Sequence, residues 1–135
     1  MTNESAKEKT ILVIEDEQPL VEAIKTKLEK NDFVVITARA VEQALNYLED
    51  LKKVDAIWLD HYLLGKKDGL DLVTKLKSQD GKWNKIPIFV VSNTAGPDKV
   101  QSYIRLGISK YYVKAEHRLD EIISEIKLFL DHPEE

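Results

Sequence analysis

The stretch TILVIEDEQPLVEAIKTKL, residues 10–28, decides the fold class. It opens on five residues, Thr10 to Ile14, that are almost wholly apolar and mostly β-branched, as a strand buried on both faces requires. Three acidic residues, Glu15, Asp16 and Glu17, end that run. Pro19 then stands where a first helical turn tolerates proline. Leu20, Val21, Ile24 and Leu28 follow at helical spacing and share one face. A doubly buried strand followed directly by an amphipathic helix is the unit of a parallel sheet.

The same unit recurs along the chain. FVVITA (33–38), DAIWLD (55–60), IPIFVVS (86–92) and KYYVK (110–114) are the other predicted strands. Helical stripes lie between and after them: Val41, Ala44, Leu45, Leu48 and Leu51; then Leu72, Val73 and Leu76; then Leu119, Ile122, Ile123, Ile126, Phe129 and Leu130. A weaker stripe, Val100, Tyr103, Ile104 and Leu106, follows Pro97. Five β-α units predict an α/β domain, a (βα)5 doubly wound parallel five-stranded sheet with helices on both faces. Right-handed crossovers leave few topologies, and the flavodoxin-like order 2-1-3-4-5 leads. The last strand, flanked by lysines, suits an edge. The expected domain runs over residues 10–131, with a flexible N-terminal tail at 1–9 and a short C-terminal tail at 132–135.

Bulk properties narrow the function. The chain has 135 residues, enough for one domain, with 43% hydrophobic and 33% charged residues, a globular balance. The net charge of −4 argues against a direct nucleic-acid or anionic-membrane surface. Without cysteine there is no disulfide framework, thiolate metal site or thiol nucleophile. No apolar run approaches the ~20 residues that span a bilayer, and MTNESAKEKT carries no apolar signal core. A cytoplasmic location is expected.

In an open parallel sheet, ligands bind at the carboxyl ends of the strands, at the switch point beside strands 1 and 3. Those ends supply Glu15 and Asp16 from strand 1, Asp60 from strand 3, Ser92 from strand 4 and Lys114 from strand 5; strand 2 offers nothing charged. Three clustered carboxylates repel unless a cation joins them. Mg2+ suits an all-oxygen site that also takes phosphate oxygens. One chemistry uses all five residues: Asp60 as the nucleophile of an aspartyl phosphate, Mg2+ held by Asp16 and Asp60 with Glu15 nearby, Lys114 as a point charge for a phosphoryl oxygen, and Ser92 as a hydroxyl donor to another.

These motifs resemble the receiver domain of two-component response regulators, a chemotaxis-regulator-like, stand-alone receiver, over roughly residues 10 to 131. ILVIEDE is similar to the family's first strand with its acidic pair, IWLD to its phosphoacceptor strand, FVVSN to its Ser/Thr strand and YYVKA to its lysine strand. The resemblance implies phosphorylation at Asp60, the backbone carbonyl of Tyr62 as a further metal ligand, and a switch in which Ser92 moves toward the phosphoryl group and Tyr111 turns inward behind it. It implies self-catalysed phosphorylation and slow dephosphorylation rather than enzymatic turnover of a separate substrate. It also implies a histidine kinase or phosphotransfer protein as donor, an effector on the face of helix 4, strand 5 and helix 5, and a monomer or weak phosphorylation-linked homodimer.

The chain departs from the family in four places. After Asp60 it reads His-Tyr-Leu-Leu-Gly instead of the Met-Pro turn, and the path to Asp68-Gly69 is one residue longer, which Gly65 absorbs if it takes φ > 0. Asn93 stands where the family mostly has a small residue. Ala115 replaces the proline after the lysine, so a trans Lys114–Ala115 bond is expected. Tyr62 and Thr94 occupy the positions that set phosphoryl lifetime in the family, and a bulky Tyr62 predicts slow hydrolysis.

Other readings compete. A pseudo-receiver that binds proteins without phosphorylation is favoured by the altered loop, Asn93 and Ala115 and disfavoured by the intact carboxylates, Ser92 and Lys114. A haloacid-dehalogenase-like phosphatase wants Asp-x-Asp after strand 1, whereas EDEQP supplies Asp16 between glutamates. A flavodoxin wants a Ser/Thr/Gly-rich phosphate loop there, which is missing. His61 is expected to be exposed, because strand alternation turns it away from Asp60. His117 and His132 are expected at the surface, Trp58 in the core, and Trp83 in a polar loop without a role.

Overall fold

In the computed structural model, residues 8–51, 53–78, 81–93 and 96–131 are described. The order of elements is β1 (Thr10–Ile14), α1 (Gln18–Lys30), β2 (Val34–Ala38), α2 (Val41–Asp50), β3 (Ala56–Leu59), α3 (Gly69–Lys77), β4 (Ile88–Ser92), α4 (Pro97–Leu106), β5 (Lys110–Val113), a one-turn 3-10 helix (Lys114–Glu116) and α5 (Leu119–Asp131). The five strands form one parallel sheet in the order β2-β1-β3-β4-β5. Residues 1–7 and 132–135, on which most of the two expected tails and His132 fall, lie outside the described residues, as does Thr94.

Two apolar layers sandwich the sheet. Leu12, Ile14, Ile57, Leu59, Ile88 and Val90 pack on one face with α2, α3 and Tyr103 of α4. Ile11, Val13, Trp58, Phe89, Val91 and Tyr112 pack on the other with α1 and α5. Period-two alternation sends neighbours along each strand to opposite layers, which is why β1, β3 and β4 read as continuous apolar runs. β2 and β5 are the edges and are only partly buried. Among the described residues, no helix is long and apolar enough to cross a membrane.

Local signals place the helix ends. Proline opens α1 and α4. Asp68 and Asp71 form a reciprocal capping box at the start of α3, with N···O distances of 3.1 and 2.8 Å. Gly107 ends α4 in the left-handed region. The weak stripe of α4 has a physical counterpart: Tyr103 is its one buried residue, and Ile104 is 52% exposed. Phe129 of α5 is also exposed, at 40%, although its ring meets Phe89 edge-on. Trp83 has a structural role: its indole nitrogen donates to the Leu48 carbonyl at 3.0 Å, and its ring packs on the layer between the sheet and α2 and α3.

The segment between β3 and α3 carries the main departure in the chain. Gly65 adopts φ +89°, as the longer path requires. Leu64 pairs with Ala40 in an isolated parallel bridge, its amide donating to the Arg39 carbonyl at 3.2 Å. Leu63 packs on the core. The unusual leucines therefore stitch the loop to the start of α2. A Gly65→Ala variant forces an L side chain into the left-handed region, and we expect it to lower stability by about 1 kcal/mol. Urea denaturation will show this as a reduced midpoint with an unchanged slope.

Candidate functional site

Pairing along the sheet continues one residue beyond two of the central strands. The Glu15 amide donates to the Ala38 carbonyl, and the Asp60 amide donates to the Ile14 carbonyl, each at 3.0 Å. Register thus holds Glu15 and Asp60 side by side at the carboxyl edge. Both are buried. One carboxylate oxygen from each of Glu15, Asp16 and Asp60 lies within 4.8 Å of the others, close enough to share one cation.

Lys114 reaches over them from the 3-10 helix after β5. Its Nζ donates to Glu15 Oε1 at 3.0 Å and to Asp60 Oδ2 at 3.4 Å. The lysine side chain is only 18% exposed, so solvent weakens these pairs little. No peptide bond in the described residues is cis, and Lys114 attains this position with a trans bond to Ala115. Burial and the neighbouring Asp60 charge raise the Glu15 pKa to about 6, against the opposing pull of Lys114. Burial alone would lower the Lys114 pKa, but Asp60 and Glu15 outweigh it and raise it. Three carboxylates facing one ammonium leave the cluster short of positive charge.

Ser92 ends β4 fully buried, and Tyr111 is hydrogen-bonded to it. Burial raises the Tyr111 pKa. The Tyr62 side chain is 61% exposed, with its ring edge-on to His61 at 4.6 Å. Asn93 is exposed beside Ser92. Glu15, Asp16, Asp60, Ser92 and Lys114 lie at this edge of the sheet, Tyr111 lies within β5, and Thr94 is outside the described residues.

Three expectations need correction. His61 is buried, not exposed. β3 ends at Leu59, so pleat alternation no longer governs position 61. The His61 ring turns inward, and its Nδ1 shares a 2.7 Å hydrogen bond with the Tyr103 hydroxyl. Burial lowers its pKa. The end of β2 also supplies a cation: Arg39 donates to the backbone carbonyl of Asp16 at 3.0 Å. His117, expected at the surface, is half-buried against the Tyr112 ring, with centroids 5.2 Å apart. Trp58 is core, as expected. Its buried indole nitrogen has no hydrogen-bond partner among the described residues, and it lines a cavity of about 160 Å³ with Leu20, Ile24 and Lys114.

Comparison with known proteins gives one answer. A family model described as the response regulator receiver domain matches residues 11–127. The phosphate regulon transcriptional regulatory protein PhoB of Pseudomonas aeruginosa is 32% identical over 106 residues, which cover 78% of this chain and 45% of PhoB. The chemotaxis protein CheY1 of Helicobacter pylori strain 26695 is 27% identical over 109 residues, covering 77% of this chain and 83% of CheY1. The crystal structure of the phosphorylated cyanobacterial phytochrome response regulator RcpA superposes with a TM-score of 0.80 at 26% identity, covering 91% of this chain and 94% of that one. The chain spans less than half the length of PhoB and of the similar PhoP of Bacillus subtilis. With the sheet order, the acidic cluster and the buried lysine already in place, the match over 11–127 decides the matter: the chain belongs to the response regulator receiver domain family of two-component signalling.

Proposed function

We propose that the protein is a phosphorylation-dependent switch that accepts a phosphoryl group on Asp60 from a histidine kinase or phosphotransfer partner. The observation that carries this reading is the meeting of Lys114 with Glu15 and Asp60 at 3.0 and 3.4 Å, beside Asp16. A protein-binding pseudo-receiver has no need of this arrangement.

Asp60 attacks phosphorus with a carboxylate oxygen. The new O–P bond forms as the bond to the leaving group breaks: P–N to the donor imidazole, or P–O to acetate when acetyl phosphate is the donor. Lys114 neutralises charge on a phosphoryl oxygen, and the Ser92 hydroxyl donates to another. The tight cluster of carboxylate oxygens on Glu15, Asp16 and Asp60 and its surplus negative charge fit Mg2+, which Asp16 and Asp60 would hold with the Tyr62 carbonyl, Glu15 alongside. When bound, Mg2+ supplies the positive charge that transfer of a dianionic phosphoryl group requires. Ser92 then leaves its Tyr111 partner for the phosphoryl group, and Tyr111 carries the change to the face of α4, β5 and α5, where an effector docks.

The first test is mass spectrometry of the purified chain after incubation with acetyl phosphate and Mg2+. We expect one phosphoryl adduct in the wild type and none in Asp60→Asn. Equal uptake by both, or none by the wild type, would overturn the proposal. Lys114→Ala should lose at least tenfold in phosphorylation rate while remaining folded, because it removes a charge from the transferring group.

The Glu15 shift gives a pH test. Its folded-state pKa lies above the ordinary 4.5, so the metal-free folded state binds this proton more tightly than the unfolded chain. The linked stability is full below about 4.5 and is lost as pH rises through about 6. A shift of this size corresponds to roughly 2 kcal/mol. Denaturation of metal-free protein from pH 4.5 to 7.5 should show this falling component in the wild type and lose it in Glu15→Gln. Mg2+ should accordingly stabilise the wild type more at pH 7.5 than at pH 5.

A further inference from the structure

His61 and Tyr103 form a contact that the phosphoryl chemistry above does not use. His61 follows Asp60 directly, and Tyr103 lies on α4, on the far side of the loop. The two rings meet edge-on with centroids 5.7 Å apart, and the histidine Nδ1 lies 2.7 Å from the tyrosine oxygen. Both residues are buried, at 1% and 0% exposure.

The backbone of His61 is tied down on both sides. Its amide donates to Asp60 Oδ1 at 2.8 Å, and its carbonyl accepts from the Gly69 amide at 2.9 Å. The imidazole Nε2 faces Asp68 Oδ2 at 3.6 Å, so the ring also sits against the cap of α3. Gly69 is required by the same approach. A side chain there would run into the Tyr103 hydroxyl and would come within 3.1 Å of the Asp60 carbonyl oxygen and 3.2 Å of His61 Cα. Tyr103 in turn packs on Tyr111, with centroids 5.6 Å apart, and Tyr111 is hydrogen-bonded to Ser92. A chain of contacts thus leaves the Asp60 carboxylate through His61, crosses to α4 and returns to the site through Tyr111 and Ser92.

We propose that His61 is a positioning residue: its hydrogen bond to Tyr103 fixes the Asp60–His61 peptide, and with it the orientation of the Asp60 carboxylate, and links that orientation directly to α4. The inference rests on Asp60 being the phosphoacceptor. Substitution at the tyrosine hydroxyl therefore changes the transfer rate and the response of α4 together, although Tyr103 touches no reacting atom.

The test uses the whole chain with Mg2+ and acetyl phosphate, comparing wild type, Tyr103→Phe, His61→Leu and the double variant. Tyr103→Phe removes one oxygen and keeps the ring. Losing one buried hydrogen bond that acts on the reacting carboxylate should slow phosphorylation about 3- to 10-fold. His61→Leu should slow it to a similar degree, and the double variant should be no slower than the slower single one, because both remove the same link. Amide resonances of residues 97–106, compared with and without beryllofluoride as a phosphoryl mimic, should shift less in Tyr103→Phe than in wild type. A merely structural bond would lower the unfolding temperature but leave the rate and these shifts unchanged. That result, or losses that add in the double variant, overturns the inference while leaving Asp60 as phosphoacceptor. A wild type that takes up no phosphoryl group overturns the phosphoacceptor reading, and the coupling with it.

Discussion

The bridge from Lys114 to Glu15 and Asp60 is the interaction on which the rest of the site depends. It joins the edge strand to the two central ones and partly compensates buried carboxylates that would otherwise repel. The compensation is incomplete, since one ammonium stands among three acids, and burial first, then the Asp60 charge, keep the Glu15 pKa raised despite Lys114. A site left short of positive charge in this way fits the proposed arrival of a cation together with a phosphoryl group. Stability is held back at the place where function needs charge to arrive.

Much of this was legible in the sequence because it follows from two periodicities and one topological rule. Strands β1, β3 and β4 announce themselves as apolar β-branched runs, and a residue with chemistry stands at or just past the end of each. Parallel strands point the same way, so residues at their carboxyl ends gather at one edge of the sheet. That is how Glu15, Asp60, Ser92 and Lys114, spread over 100 positions, could be assigned to one cluster. The same reasoning failed at His61, just beyond the end of β3, where the pleat no longer dictates direction. It also failed at Tyr103, which on α4 reads as an ordinary apolar-face residue. Their pairing spans 42 positions and depends on how closely α4 packs against the loop, which no local pattern encodes. Arg39 gives no such signal, because it stands one residue past the end of β2 and uses its guanidinium on a backbone carbonyl.

The loop from 61 to 69 separates this chain from the family's usual pattern. Its leucines are fixed to the start of α2 by the Leu64–Ala40 bridge, its glycine takes the turn that the extra residue demands, and its histidine is buried under α4. These changes leave Asp60 within reach of Lys114. They redistribute what surrounds the carboxylate: Tyr62 is left exposed outside, while a polar contact to α4 sits beneath it. Side-chain contacts thus run from the residue after Asp60 to α4 and on to Tyr111 at the carboxyl edge of the sheet.

The most direct measurement is chemical mapping of the phosphorylated residue. Borohydride reduction of an aspartyl phosphate converts that residue to homoserine, and peptide mass spectrometry then locates it. Phosphoryl transfer to Asp60 predicts homoserine at position 60 alone, in protein treated with phosphodonor and Mg2+. Homoserine at position 16, or phosphate retained on a histidine or serine, would contradict it.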